Sequence, residues 1–399
     1  MSVGSGDHPV VSVVIVNFNG GPLLSEAVRA VLRSSVPVEV FVSDNGSKDG
    51  SLTPLLSLRT DPRLRILENE ANLGFSRGNN VALKQAVGDY VLLLNPDCLI
   101  QPDTLARMLT AMADYPQTVM AGCLIRNPDG TEQAGCRRSV PSPWRTLVRV
   151  LNLHKLFPHH PRFHHIALTH EPLPDKPVFL EAISGAFMLI RRDALEQIGL
   201  LDEGYFLHCE DLDLCMQFHR MNRPILFVPD VEVVHYKGAC SADRPIRVLW
   251  YKHKGMVRFY RKFFHHQYPS VLMAMVVTAV WFRFSILTLG AVVRRIGSRK
   301  QRPSMQALPA VTSSRAPRQY RGRRGGDFLG FLGRVRRFYK VMVRQQTSDH
   351  RASLPAADGR RDPEQRTLAS AWPPHARGRS TTMVARPRPG LSEENRGRK

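Results

Sequence analysis

Asp97 ends a short apolar segment whose residue types suit a metal-binding carboxylate. It follows Leu92-Leu93-Leu94 and the turn residues Asn95 and Pro96. A carboxylate at the end of a buried strand can bind a hard divalent cation, which prefers oxygen ligands and keeps positions open for phosphate oxygens. A turn or helix-capping aspartate is the alternative, because aspartate is common at both places.

A second acidic group consists of Glu210 and Asp211, with Asp213 two residues further on. Adjacent carboxylates repel each other, so the pKa of one tends upward, which suits a general base. Acidic residues are also favoured at a helix N-terminus by the helix dipole, and the pattern alone leaves both interpretations open. His235 follows the apolar residues 231–234 and is either a metal ligand or a structural histidine.

Polar residues that follow other strand-like segments could bind a nucleotide. Asp44 begins the turn Asp44-Asn45-Gly46-Ser47. A carboxylate there can accept a hydrogen bond from a base N–H or a ribose hydroxyl. The sequence has neither a GxGxxG nor a GxxxxGK[ST] segment, so neither a Rossmann dinucleotide site nor a P-loop is supported.

The elements that must position these side chains alternate between strands and helices. Strands are predicted over 10–16, 38–43, 64–67, 90–94, 119–124, 225–228 and 231–236. Helices are predicted over 22–34, 79–87, 102–113, 144–153, 192–198 and 210–220. This alternation predicts an α/β fold with a mostly parallel sheet, whose ligands bind beyond the carboxyl ends of the strands. The polar clusters at Asn17, Asp44, Asn72 and Asp97 are therefore expected at one rim.

The chain has 399 residues and a formal net charge of +22, concentrated near its C-terminal end. Residues 1–293 carry 30 basic and 27 acidic side chains, whereas residues 294–399 carry 26 and 7. This distribution excludes a uniformly basic chromatin-type protein and a wholly disordered chain. Scattered cysteines without a CxxC pair predict free thiols, and the N-terminus lacks the basic region of a signal peptide.

Residues 271–293 form an apolar stretch that is long enough to span a bilayer and contains one charge, Arg283. An arginine at the bilayer centre costs about 2.5–3.5 kcal/mol on insertion scales. We therefore expect helices that lie on the cytoplasmic leaflet, with a single-pass span or a buried core helix as alternatives.

Seven segments together resemble glycosyltransferase family 2, the inverting enzymes of GT-A fold, and within it the bacterial rhamnosyltransferase-like branch. The segments are SVVIVNFN (12–19), VSDNGSKDGS (42–51), NLGFSRGNN (72–80), LLLNPD (92–97), SGAFMLIRRDAL (184–195), GLLDEGYFLHCEDLDLC (199–215) and VVHYKG (233–238). The resemblance implies a GT-A catalytic domain over 1–240. A membrane-associated segment would follow over 241–295, then a mostly disordered tail over 296–399 with an amphipathic helix at 327–344.

The same resemblance implies roles for individual residues. Asp211 matches the catalytic base of an acidic pair with Glu210. Asn95-Pro96-Asp97 matches the metal-binding DxD motif, with asparagine in its first position, and His235 matches a residue that completes the metal site. The implied nucleotide-sugar contacts are Asn17, Asn19, Asp44, Asn45, Asn72, Gly74, Arg77, Asn79 and Asn95.

The function that the resemblance implies is metal-assisted transfer of a sugar, with Mg²⁺ or Mn²⁺ as the cation. The donor expected from the branch is dTDP-rhamnose, with a UDP-sugar as the alternative, and the acceptor is a hydroxyl of a lipid-linked or polysaccharide glycan. We also expect contact with an anionic membrane surface and no nucleic-acid partner. The alternatives of another class are a non-catalytic basic membrane- or nucleic-acid-binding protein and an inactive GT-A scaffold.

Overall fold

The computed structural model describes residues 11–150, 167–238 and 244–300, all within the first of two compact units, Met1–Tyr320. Its strands are β1 Val11–Asn17, β2 Val38–Asp44, β3 Leu64–Glu68, β4 Tyr90–Leu94, β5 Cys98–Leu99, β6 Met120–Arg126, β7 Arg137–Arg138, β8 Val178–Leu180, β9 Ala182–Ile183, β10 Phe187–Arg191 and β11 Ile225–His235. Its helices are α1 Gly21–Leu32, α2 Phe75–Leu83, α3 Thr104–Asp114, α4 Pro143–Val150, α5 Arg192–Ile198, α6 Glu210–Arg220, α7 Pro245–Phe264 and α8 Ser270–Lys300.

Nine strands form one mixed sheet in the order β3-β2-β1-β4-β10-β6-β11-β5, with β8 also paired to β11. Strands β3, β2, β1 and β4 are mutually parallel, as the alternating sequence pattern predicts. Beyond them β10 runs antiparallel between β4 and β6, whereas β11 is parallel to β6. The parallel part brings the ends of β1, β2 and β4 to one rim, where the predicted nucleotide and metal residues follow them.

Both faces of the sheet are covered, which is why the central strands are apolar throughout rather than alternating. On β1, Val13 and Ile15 belong to a core formed with α1 and α3, and Val14 belongs to a second core on the other face. The second core contains side chains of α2, α6, α7 and α8, so helices from both ends of the described chain pack on the same face.

Several element boundaries differ from the sequence-based expectation. Helix α2 begins at Phe75 rather than near residue 79, because Gly74 adopts φ +82° and ends the preceding loop. The two strands expected over 225–228 and 231–236 are one strand, β11, with a register shift between Val228 and Glu232. Helix α8 continues to Lys300, past the start of the tail expected at residue 296. The helix expected at 327–344 and the rest of the tail lie outside the described residues.

The stretch 137–177, which shows no periodicity, contains β7, and β7 pairs with β9 in a two-stranded ribbon. The five described cysteines are buried and free, as predicted. Within the described residues one stretch, Ser270–Val293 of α8, is long and apolar enough to cross a membrane by length and composition.

Candidate active site

The ends of β1 and β2 are joined by a buried hydrogen-bond network around Asp44. Asn17 Nδ2 donates to Asp44 Oδ1 at 2.7 Å, and the Ser47 backbone N–H donates to Asp44 Oδ2 at 2.9 Å. Asn19 Oδ1 accepts from the Lys48 backbone at 2.9 Å, which ties the two loops together. Each Asp44 oxygen therefore has one partner and retains acceptor capacity for a ligand.

A second loop lies beside this network and carries the predicted nucleotide residues Asn45, Asn72 and Gly74. Asn45 Nδ2 donates to Gly74 O at 3.0 Å and approaches Asn72 Oδ1 at 3.4 Å. A Cβ on Gly74 would lie 2.5 Å from the Phe206 carbonyl oxygen, so only glycine permits this contact. Phe206 precedes the acidic pair, and this loop therefore touches the segment that leads into α6.

Two other predicted nucleotide residues, Arg77 and Asn79, have partners in and near α2. Arg77 Nε donates to Glu203 Oε2 at 3.0 Å, and Asn79 Nδ2 donates to Phe75 O at 2.9 Å. The Asn79 Oδ1 atom is buried and has no hydrogen-bond partner in the described part of the chain. A role of either residue in nucleotide binding stays a prediction.

The two predicted metal ligands meet at the rim. Asp97 Oδ1 lies 3.0 Å from His235 Nε2, and both residues are buried although they are distant in sequence. The short strand β5, which begins directly after Asp97, pairs with the end of β11 and sets this contact. Asn95 Nδ2 also lies 3.2 Å from His235 Nε2.

The hydrogen bonds of Gln133 fix which nitrogen of His235 carries the proton. Gln133 Nε2 donates to His235 O at 3.1 Å and to Asn127 Oδ1 at 2.9 Å. Its Oε1 therefore accepts from His235 Nδ1, which lies 2.7 Å away. In the neutral ring Nε2 then carries a lone pair, which lies 3.0 Å from Asp97 Oδ1 and 3.2 Å from Asn95 Nδ2. A cation bound between Nε2 and Oδ1 would be attracted to both of these acceptors.

This donor set fits a divalent cation that is shared with a substrate. No group of three or more His, Cys, Asp or Glu side chains in the described residues could form a larger protein ligand shell. Asp97 and His235 would supply two ligands and leave the remaining positions for diphosphate oxygens and water.

The acidic pair opens helix α6, and the two carboxylates have different environments. Asp211 is ion-paired with Arg138, whose Nη2 also donates to Ile183 O at 3.0 Å. The backbone N–H groups of Gly185 and Leu212 donate to Asp211 at 3.3 and 2.8 Å. Glu210 is buried, and its Oε2 has no hydrogen-bond partner in the described part of the chain.

These environments separate the two pKa values. Burial, with the nearby Asp211 charge, raises the pKa of Glu210 to about 8. Burial also acts to raise the pKa of Asp211, but the Arg138 guanidinium and the Leu212 N–H outweigh it and hold that pKa below its ordinary value. The acid with the raised pKa is therefore Glu210, whereas the predicted base, Asp211, is ionised at neutral pH.

Three consecutive residues, Ser184, Gly185 and Ala186, connect the two acidic sites. The Asn95 N–H donates to Ala186 O at 3.1 Å, while the Gly185 N–H reaches Asp211. A Cβ on Gly185 would lie 3.1 Å from Asp211 Cβ, so a larger residue would crowd the carboxylate. The residues before Asp97 and the acidic pair are thus fixed to one short piece of backbone.

The turn before the acidic pair is conformationally strained and is supported by α7. His208 and Cys209 have φ of +69° and +74°, values that are uncommon for residues with side chains. Gly255 of α7 packs against this turn, and a Cβ on it would lie 2.7 Å from His208 O. Helix α7 is therefore part of the framework that holds Asp211.

Arg138 and Gln133 are site residues that the sequence reasoning missed. Both belong to the segment between β6 and α4, where no periodicity or motif marked them. Their importance depends on contacts with Asp211 and His235 across large sequence separations. Only the folded arrangement of β7, β9 and β11 makes these contacts visible.

Comparison with known proteins agrees with this architecture. The family model Glycosyl transferase family 2 matches residues 12–199. The N-acetylglucosaminyl-diphospho-decaprenol L-rhamnosyltransferase of Mycobacterium tuberculosis is 31% identical over 262 residues, which cover 63% of this chain and 83% of the relative. Rhamnosyltransferase WbbL of Escherichia coli is 24% identical over 174 residues, 41% of this chain and 61% of that protein.

A solved structure of the mannosyltransferase PcManGT from Pyrobaculum calidifontis, in complex with GDP-Man and Mn²⁺, is 20% identical. The match covers 72% of this chain and 80% of that chain, with a TM-score of 0.45.

The mixed α/β sheet with flanking helices is the GT-A fold that the sequence predicts, and the chain is a glycosyltransferase. More particularly, it belongs to glycosyltransferase family 2 and is similar to the rhamnosyltransferases of that family.

Proposed function

We propose that this chain is an inverting glycosyltransferase that moves a sugar from a nucleoside diphosphate to a hydroxyl of a lipid-linked glycan. The observation that carries the proposal is the pairing of two sites at one rim. Asp97 and His235 offer a cation site, and an ionised Asp211 is fixed to the same backbone segment. Direct in-line displacement needs a neutralised leaving group on one side and a base on the other.

On the donor side, the leaving nucleoside diphosphate carries several negative charges. A bound divalent cation, Mg²⁺ or Mn²⁺, would neutralise this charge as the bond to the sugar breaks. Asp97 and His235 would hold the cation, and the Asp44 network would accept hydrogen bonds from the base. Asn17, Asn19, Asn45, Asn72, Gly74 and Asn95 would line the rest of the nucleotide-sugar site.

On the acceptor side, Asp211 would take the proton from the attacking hydroxyl. A positioned base contributes about 10²–10⁴ in rate. Arg138 keeps Asp211 ionised and, with the Gly185 and Leu212 N–H groups, fixes the orientation of its carboxylate. Glu210 would remain uncharged below its pKa of about 8 and so would not compete with Asp211 for the proton.

The donor and acceptor that we propose follow the relatives. The Mycobacterium tuberculosis relative is named as a rhamnosyltransferase acting on a diphospho-decaprenol-linked N-acetylglucosamine. We accordingly propose dTDP-rhamnose as the donor, with a UDP-sugar as the alternative, and a polyprenyl-diphosphate-linked sugar as the acceptor. Such an acceptor would place the enzyme at the cytoplasmic face of the membrane.

A donor and acceptor panel tests this proposal. The purified full chain is incubated with dTDP-, UDP- and GDP-sugars, with and without a short polyprenyl-diphosphate-linked N-acetylglucosamine, and nucleoside diphosphate release is measured. We expect acceptor-dependent release from dTDP-rhamnose that EDTA abolishes and Mg²⁺ or Mn²⁺ restores. Release from none of the donors, or release that does not depend on the acceptor, would contradict the proposal.

A further inference from the structure

Helix α8 has a continuous apolar face that the rest of the described protein does not cover. Along this face the exposed fractions are Val271 73%, Met275 57%, Phe282 67%, Ile286 54%, Leu289 66% and Val293 59%. At about 100° per residue, these six positions fall within a sector of about 60°, which makes one straight stripe along the helix. We call them the outer stripe.

The opposite side of α8 faces the protein. Met273, Val276 and Val280 are at most 8% exposed and belong to the core that contains α6 and α7. The helix therefore has a protein side and an outer side. Apolar residues occur on both sides, so the sequence alone does not distinguish them. Monomeric proteins rarely expose apolar patches of this extent without a partner.

Arg283, the one charge within the apolar stretch, lies on the protein side. Its Nη1 is 3.2 Å from His253 Nε2 of α7, and His253 is buried. Next to this contact, the Trp250 ring of α7 packs on Trp281 and Phe284 at centroid distances of 5.0 and 5.6 Å. The outer stripe is thus free of charge, because Arg283, although exposed, lies outside the stripe and contacts α7.

Helix α7, against which α8 packs, is itself packed firmly against the rest of the described protein. Phe259 and Tyr260 are fully buried, and the Tyr260 hydroxyl lies 2.6 Å from Thr146 Oγ1. Because the contacts pair the start of α7 with the later part of α8, the helices run antiparallel. A membrane-spanning orientation would require α8 to separate from α7 and expose this packed interface.

A row of exposed cations lies on α7, the helix against which α8 packs. Arg247, Lys254 and Arg261 are exposed and recur every seventh residue of α7, so they occupy one edge of that helix. From the helical rotation this edge adjoins the side of α7 that contacts α8. An uncharged apolar stripe beside a row of cations matches the boundary between acyl chains and anionic headgroups.

We propose that the outer stripe is a docking face for an anionic lipid leaflet, with α8 lying in the membrane plane and not across it. In this orientation the row of α7 cations contacts lipid phosphates, and Arg283 remains paired with α7. The inference adds a partner and an orientation to the proposed function. It rests on the proposed function in one respect: a lipid-linked acceptor explains why the enzyme would contact a membrane.

Vesicle flotation of the full chain tests the docking face. The vesicles contain phosphatidylcholine with about one third phosphatidylglycerol, and the salt is raised to about 0.5 M so that long-range attraction of the basic tail is screened. We expect the double variant Phe282→Glu/Leu289→Glu to lose at least about tenfold in partitioning, since each change places a charge in the acyl region. The matched control, Leu56→Glu/Val87→Glu, alters residues that are 52% and 47% exposed elsewhere and should bind as the wild type does.

Two outcomes would overturn the inference. Unchanged binding of the Phe282→Glu/Leu289→Glu variant would exclude the stripe as the docking face. A lipid-free dimer that this variant dissociates in analytical ultracentrifugation would identify a second copy as the occupant instead. Transfer to a water-soluble acceptor, measured on the same variant, should be unchanged, so a failure of docking and a failure of the glycosyltransferase assignment are distinguishable.

The orientation is tested separately by depth measurement. Fluorophores on Val271→Cys, Phe282→Cys and Val293→Cys are quenched by lipids that are spin-labelled at different depths. Docking in the plane predicts similar, shallow depths at all three positions. A deep Phe282 position with both ends near the surfaces would show that α8 spans the bilayer and would overturn the proposed orientation.

Discussion

Replacing Arg138 by methionine isolates the contribution of its charge to the state of Asp211. Methionine keeps much of the side-chain length and cannot pair with the carboxylate. In the wild type Asp211 is ionised because Arg138 and the Leu212 N–H outweigh the effect of burial. In Arg138→Met burial still acts to raise the pKa of Asp211, and the positive charge that lowered it is gone. The pKa of Asp211 must therefore rise.

The magnitude follows from the geometry of the pair. The side chains of Arg138 and Asp211 are in direct contact and are only 21% and 14% exposed, so water screens their attraction weakly. A contacting opposite charge lowers a carboxyl pKa by about 1–3 units, and each unit corresponds to about 1.4 kcal/mol. The acidic limb of the kcat/KM profile should therefore move upward by about 1–3 pH units in Arg138→Met. Activity should fall by about tenfold per unit below the new limb and recover above it.

The assay is the pH dependence of transfer, measured with saturating donor in buffers of constant ionic strength. Arg138→Lys keeps a positive charge and should retain most of the wild-type limb. Arg137→Gln removes the neighbouring buried cation of the same ribbon, which pairs with Glu132 instead, and should leave the limb in place. An unshifted limb in Arg138→Met, in a variant whose circular dichroism is normal, would show that Arg138 does not set the pKa of Asp211.

Three further outcomes are expected. Between pH 4.5 and about 8 the folded protein keeps a proton on Glu210 that the unfolded chain releases, so the contribution of Glu210 to stability falls as pH rises. Glu210→Gln should remove this contribution and become more stable relative to the wild type as the pH rises toward 8, whereas a stability difference between the two that does not change with pH would contradict it. Gly74→Ala should lower the unfolding free energy by more than Gly130→Ala does. Both glycines have positive φ, but only at Gly74 would the added Cβ clash with a backbone atom. Equal losses of unfolding free energy in denaturant titrations would count against that contact. Gln133→Ala should weaken Mn²⁺ affinity about 10–100-fold in calorimetric titrations by releasing His235, and an unchanged affinity would argue against the cation site.

Sequence reasoning predicted the parallel half of the sheet because its strands are buried on both faces and end in distinctive turns. The runs at 10–16, 38–43 and 90–94 lie within one residue of β1, β2 and β4. The proximity of Asp97 and His235 was also predicted, because both residues lie at strand ends within segments that resemble the family. Their roles at the site stay predictions.

The remaining features depend on tertiary contacts that no local pattern encodes. The start of α2 is set by Gly74 against a carbonyl of a distant loop. The ionised state of Asp211 depends on Arg138, which lies at the start of a segment without periodicity. Adjacent acids indicated only that one pKa would rise, and not that Glu210 would be the one. The two sides of α8 became distinguishable only through its packing on α7.

The central claim, that Asp211 is the base, is tested most directly by single-turnover transfer in Asp211→Asn alongside calorimetric donor affinity. Asparagine preserves the shape of the side chain and removes its ability to take a proton. We expect a loss of about 10²–10⁴ in the rate of transfer, with donor affinity within threefold (about 0.7 kcal/mol) of the wild type. Near-normal transfer by Asp211→Asn would contradict it.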